Sequence, residues 1–135
     1  MAFTHGKDIY FQLDNTADSL TDVTAYVDSV SGLPGSIDMA DVTTFGEEDK
    51  VVLPGTGGAT FTVSGPWDST FNGYIGTQAQ RKVSRGYEYG PGGNSGVKIS
   101  GECYIAGYDV SGSKTSAVRY TATCVTSDDI TVGSF

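Results

Sequence analysis

The stretch "ATFTVSG" (59–65) alternates apolar and polar residues with a period of two. Phe61 and Val63 fall on one face of an extended chain, and Thr60, Thr62 and Ser64 on the other. Only a strand with one wet side satisfies that pattern. Similar short runs of Val, Ile, Thr, Tyr and Phe recur along the chain, separated every ten residues or so by Gly, Pro, Asn and Asp. That rhythm predicts an all-β domain.

Strands are expected at 8–13 ("DIYFQL"), 25–30 ("AYVDSV"), 59–65, near 83–89 and near 97–110. A last hairpin reversing at "SGSK" (111–114), with facing residues summing to 227, sets Cys103, Ile105 and Gly107 against Cys124, Ala122 and Tyr120. Tyr104 and Tyr108 then share the wetter face with Thr123 and Arg119, so apolar and polar sides separate. The period changes once. In "GPWDSTFNGYIGTQAQRKV", Trp67, Phe71, Tyr74, Ile75 and Gln78 recur at helical spacing, and Asp68 or Ser69 can cap the first turn. The expected architecture is an antiparallel β-sandwich or small barrel of seven or eight strands, flanked by a single α-helix at about 69–80, in one domain spanning 1–135.

Between two Leu-Pro or Pro-Gly turn signals lies "LPGSIDMADVTTFGEEDKVVLPG" (33–55), which reads as a long loop or hairpin arm. It holds Asp38, Asp41, Glu47, Glu48 and Asp49 against the single Lys50, and so carries −4 of the chain's formal −8. Apolar points stand among the carboxylates at Ile37, Met39, Val42 and Phe45. The aspartates lack the spacing of a calcium loop. Cys103 and Cys124 have no nearby Cys or His with which to hold zinc, and they read as thiols, with a disulfide as the alternative. His5, the only histidine, lies in the N-terminal segment, where it makes a poor partner for a nucleophile. Neither a catalytic residue nor a cofactor is expected.

A net charge of −8 and a pI near 4.3 disfavour a nucleic-acid-gripping domain. No apolar run approaches the length of a membrane helix, and the N-terminus has no signal-peptide pattern, so the chain reads as cytosolic when made. "RKVSR" gathers Arg81, Lys82 and Arg85. It is read either as a basic patch complementary to an acidic surface of a neighbouring subunit or as a solvated helix end. Trp67, Tyr87, Tyr89, Tyr104 and Tyr108 leave open a sugar-stacking face, as in a carbohydrate-binding module, against the plainer reading of tyrosines in half-buried strands.

The run "GLPGSIDMADVTTFGEEDKVVLPGTGGATFTVSGPWDST", followed by "YEYGP" and "VKISGECYIAGYDVSGS", resembles the tail tube proteins of long-tailed bacteriophages with non-contractile tails. The resemblance covers about Gly32 to Val125. It implies a helix-flanked β-sandwich, hexameric rings joined edge to edge, and a stacked tube in the virion, made in the host bacterial cytoplasm. It further implies that 33–55 reaches an adjacent ring, with Ile37, Asp38, Met39, Asp41, Val42, Phe45, Glu47, Glu48 and Asp49 as contact residues. The implied partners are copies of the chain itself and the tape measure, tail terminator and distal tail proteins, with DNA as passing cargo. A capsid decoration or head–tail joining protein is the alternative within the same class.

Overall fold

The computed structural model describes residues 5–46 and 48–135. After a 3-10 turn at Gly6–Asp8 come β1 (Tyr10–Asp14) and β2 (Leu20–Asp22), then a second 3-10 turn at Thr24–Tyr26 and β3 (Ser29–Ser31). The arm supplies β4 (Ser36–Asp41) and β5 (Val52–Gly58), and β6 (Thr60–Pro66) follows. The helices α1 (Ser69–Ile75) and α2 (Gln78–Arg81) lead to β7 (Arg85–Gly90), β8 (Val97–Ser113), β9 (Ser116–Thr126) and β10 (Thr131–Ser134).

Eight strands form one antiparallel sheet in the order β2-β1-β7-β8-β9-β6-β3, with β10 pairing on Val97–Ser100 of β8. The sheet curls until strands far apart in that order meet across the core. The rings of Phe11 on β1 and Phe61 on β6 lie 6.4 Å apart, and Phe61 and Tyr87 4.9 Å. The connection from β2 to β3 bridges the two edges: Val23 donates to the Phe11 carbonyl and Asp28 to that of Ser64. Burial along β6 follows the alternation of "ATFTVSG", with Phe61 and Val63 inside. The fold is mostly antiparallel β with one main helix, as the periodicity predicts.

Four details differ from the sequence reading. The helix expected over 69–80 breaks at Gly76, whose φ of 80° ends α1 in a conformation suited to glycine. Thr77 then starts α2 with a capping box, accepting from the Gln80 backbone N–H while the Gln80 side chain accepts from its own N–H. The strand expected at 25–30 is shortened to Ser29–Ser31 because Thr24–Tyr26 winds into a 3-10 turn, where the Tyr26 carbonyl accepts a 2.7 Å bond from the Tyr120 hydroxyl.

The last hairpin is longer than expected, and its register sums to 229 near Cys103. A bulge at Ala106 shifts the pairing by one residue, so Tyr108 turns inward opposite Ala122 and packs 6.1 Å from the Tyr120 ring. The chain also reverses later than 111–114, at Lys114–Thr115, so Cys103 faces Thr126 rather than Cys124, and both cysteines are buried free thiols. A hydrogen bond to Cys124 and burial both push the Cys103 thiol far above its usual range. Finally, β10 was not foreseen.

α1 closes one end of the curled sheet. Asp68 caps it, accepting from the Thr70 N–H at 2.8 Å, and its inner face buries Phe71 and Ile75. The Phe71 ring sits 4.5 Å from that of Tyr120.

Candidate assembly surface

The arm stands apart from this core. Among the described residues, strands β4 and β5 pair only with each other, and every residue in them except Gly58 is exposed. Two features define its root. Gly35 has a φ of 97°, and a side chain there would strike the backbone of Gly58. Ala59, just beyond β5, is tied to β9 by the Thr126 hydroxyl, which accepts from its N–H at 2.9 Å.

At the far end, Thr43 holds the strands together. Its hydroxyl accepts from the Val51 N–H at 2.7 Å and donates to the Val51 carbonyl at 3.3 Å. Asp41 accepts from the Thr43 N–H at 2.9 Å, and hydrogen bonds from Thr43 hold its carboxyl below the usual carboxylate range.

Register sorts the arm's side chains. Met39 faces Pro54, Ala40 faces Leu53 and Asp41 faces Val52, with Val42 bonded to Val51 beyond them. Because neighbours along a strand point to opposite sides, one face carries Ile37, Met39 and Val52, and the other Ala40, Val42, Val51 and Leu53. Both faces carry large apolar residues, with Asp41 on the first and Asp38 on the second, and both are open to solvent: Met39 is 59 % exposed, Leu53 55 % and Phe45, in the tip, fully. An isolated two-stranded ribbon is marginal in water, and strands with apolar residues on both sides are those covered on both sides. The arm has the surface of an element made to be inserted between other surfaces.

Among the expected arm contacts, Ile37, Asp38, Met39, Asp41, Val42, Phe45, Glu48 and Asp49 are all exposed on this hairpin. Glu47 lies outside the described residues. The three apolar residues Val51, Val52 and Leu53 were missed as contact candidates, although an unbroken apolar run is itself the mark of a strand covered on both faces.

The basic group is divided. Arg81 and Lys82 line a surface groove, whereas Arg85 is 2 % exposed and turned inward. Its guanidinium donates to the carbonyls of Tyr74 at 2.7 Å, Ile75 at 2.6 Å and Gln80 at 3.3 Å. A cation there answers the unpaired carbonyls and the negative end of α1, at the point where Gly76 interrupts the helix. Arg85 is therefore a structural clasp between the helices and β7, not part of an exposed basic patch. Burial lowers its pKa from the ordinary arginine value.

The aromatic residues do not form one stacking face. Tyr87 is buried, Tyr89 and Tyr108 pack against the core, and Tyr104 is exposed on the opposite side of β8. Trp67 is bound to Asn72 through its indole N–H at 3.4 Å. Among the described residues no group of three or more His, Cys, Asp or Glu side chains is placed to hold a metal ion. No described helix is long and apolar enough to cross a membrane.

No protein-family model matches the chain, and no curated protein matches it in sequence. Solved structures do match it in fold. One is the tail of an empty gene transfer agent particle, obtained by helical refinement with C6 symmetry: TM-score 0.74, 15% identity, covering 98% of this chain and all of that one. A second comes from the extended sheath–tube complex of an extracellular contractile injection system, with TM-score 0.67, 13% identity, and coverage of 98% and 93%. A third, from the tube-terminating cap of the anti-feeding prophage, has TM-score 0.65, 12% identity, and coverage of 100% and 93%. At these identities the likeness is one of fold, and it runs to contractile and other tail particles alike.

Proposed function

We propose that this chain is a non-enzymatic structural subunit of a phage-like tail tube, assembling into stacked rings of six. The observation that carries the reading is the arm: a formed hairpin with exposed apolar residues on both faces, whose strands pair with no other strand among the described residues. Such a surface calls for neighbours. The end-to-end fold likeness to the gene transfer agent tail, whose structure has C6 symmetry, supports further copies of the chain as those neighbours and six as their number. Edge strands also need cover, and β2 and β3 at the two ends of the sheet would find it in a closed ring.

The charge fits a conduit. Six copies at −8 give about −48 per ring, which would repel a duplex carrying one phosphate per ~1.7 Å and leave it free to pass during ejection. The other tail proteins expected as partners, the tape measure, terminator and distal tail proteins, belong to the same reading, as does the virion tail as its location. The sequence motifs favour a non-contractile tail.

Electron microscopy of the purified chain at rising concentration tests the proposal. Rings and filaments about 100 Å across are expected, the size of six domains of this mass around a duplex-wide channel. A monomer at every concentration that instead binds polysaccharide would overturn it and favour a carbohydrate-binding module.

A further inference from the structure

A groove of about 460 Å³ lies between α2 and the outer side of β8. Tyr104 and Ala106 form its floor with the backbone of Ile105, whose side chain turns into the core, and Arg81 and Lys82 stand over it from α2 and the residue that ends it. Neither cation forms an ion pair among the described residues. The Ala106 bulge matters here, because it interrupts the pairing with β9 at the floor of the groove.

From this we infer that the groove receives the tip of the arm of a second copy of the chain, with Phe45 on the floor and Glu48 and Asp49 against Arg81 and Lys82. The inference rests on the assembly reading above and names the surface the arm meets. Three observations converge on it. Phe45 is the most exposed of the large apolar side chains among the described residues, and it stands beside carboxylates, so its receptor must be apolar and cationic together. The other large grooves lack that combination. The one of about 720 Å³ at the arm's own root is lined by Asp128 and Asp129, of the arm's own sign. The one beside β1 and β3, also about 460 Å³, has its Asp28 engaged by Arg119 at 2.8 Å and offers the single Lys7 where the tip brings two carboxylates. Within its own chain the arm leaves Phe45 fully in solvent, and six-residue β4 alone extends ~20 Å, a reach suited to another subunit.

The test has two arms, both on the full chain. In the first, Phe45→Cys and Ala106→Cys chains are made separately and mixed under mild oxidation. A disulfide joining the two different chains, told by mass from the symmetric dimer that each can form with itself, is expected to be the main product of the mixture, and its absence overturns the contact. In the second, Arg81→Glu/Lys82→Glu is expected to raise the concentration needed for assembly about tenfold, with an unchanged circular dichroism spectrum. Glu48→Arg/Asp49→Arg should do the same; mixing the two reversed chains should restore assembly, because each arm then meets a groove of opposite charge on the other chain, and a chain carrying all four reversals should return to within about threefold of wild type. Wild-type thresholds for the reversed chains would overturn the inference while leaving the tube intact. A wild-type chain that forms no rings would strike the tube reading instead, and the mixed cross-link would then decide the contact between two copies by itself.

Discussion

The curled sheet and the arm are built from the same kinds of residue and treat them in opposite ways. On β6 the apolar residues take one side and vanish into the core, leaving Phe61 and Val63 almost without exposed surface. On β4 and β5 they take both sides and stay in water. One-sided alternation lets a strand satisfy itself within its own chain. Two-sided apolarity cannot be satisfied there, so the difference separates the residues that hold the fold from those that await a neighbour.

The largest expected effect breaks the core side of that comparison. Phe71→Ala removes the ring that closes the end of the sheet against Tyr120, and should cost about 3–5 kcal/mol in denaturant unfolding. Replacing 36–50 by a short Gly-Ser link should leave the unfolding midpoint of the monomer nearly unchanged while abolishing rings in electron micrographs. If the shortened chain unfolds outright, the arm belongs to the core and the distinction fails.

Arg85→Ala comes next. It takes three donors from the carbonyls of Tyr74, Ile75 and Gln80 and leaves buried acceptors unpaired, with an expected loss of about 3 kcal/mol. Arg81→Ala, four residues away on the surface, should change monomer stability by no more than about 0.5 kcal/mol. Equal effects would show that the two arginines had been wrongly divided between fold and surface. Smaller again is Asp68→Ala, which removes the α1 cap for a cost of about 1 kcal/mol, read from the same unfolding curves.

How far each feature was legible follows from how local its cause is. The alternation of 59–65, the Asp68 cap and the turn-bounded arm each depend on residues adjacent in sequence, and each stands where it was expected. The bulge at Ala106 depends on how β8 fits β9, and it alone decides that Tyr108 points inward. Arg85 looked like its basic neighbours, because its burial is set by where α1 stops, and that is set by Gly76. The groove beside Arg81 had no sequence signal at all: its floor comes from β8, more than twenty residues further along the chain.

The smallest effect compares two tyrosines inside the core. The Tyr120 hydroxyl donates to the Tyr26 carbonyl at 2.7 Å, whereas the Tyr87 hydroxyl is buried and finds no partner among the described residues. Tyr87→Phe should therefore be neutral or gain up to about 1 kcal/mol at neutral pH, while Tyr120→Phe should lose about that much. Alkali sharpens the contrast. Burial pushes the Tyr87 phenol up to about 12 from its ordinary 10.0. Between those values the unfolded chain has released a proton that the native chain keeps, so the native state binds more protons and stability falls as pH rises. Tyr87→Phe should flatten that decline between pH 10 and about 12, though only in part, because burial raises Tyr120 as well and its share persists. A decline of unchanged steepness would mean that the Tyr87 hydroxyl has a partner in solution, and that the core is as fully satisfied there as it is at Tyr120.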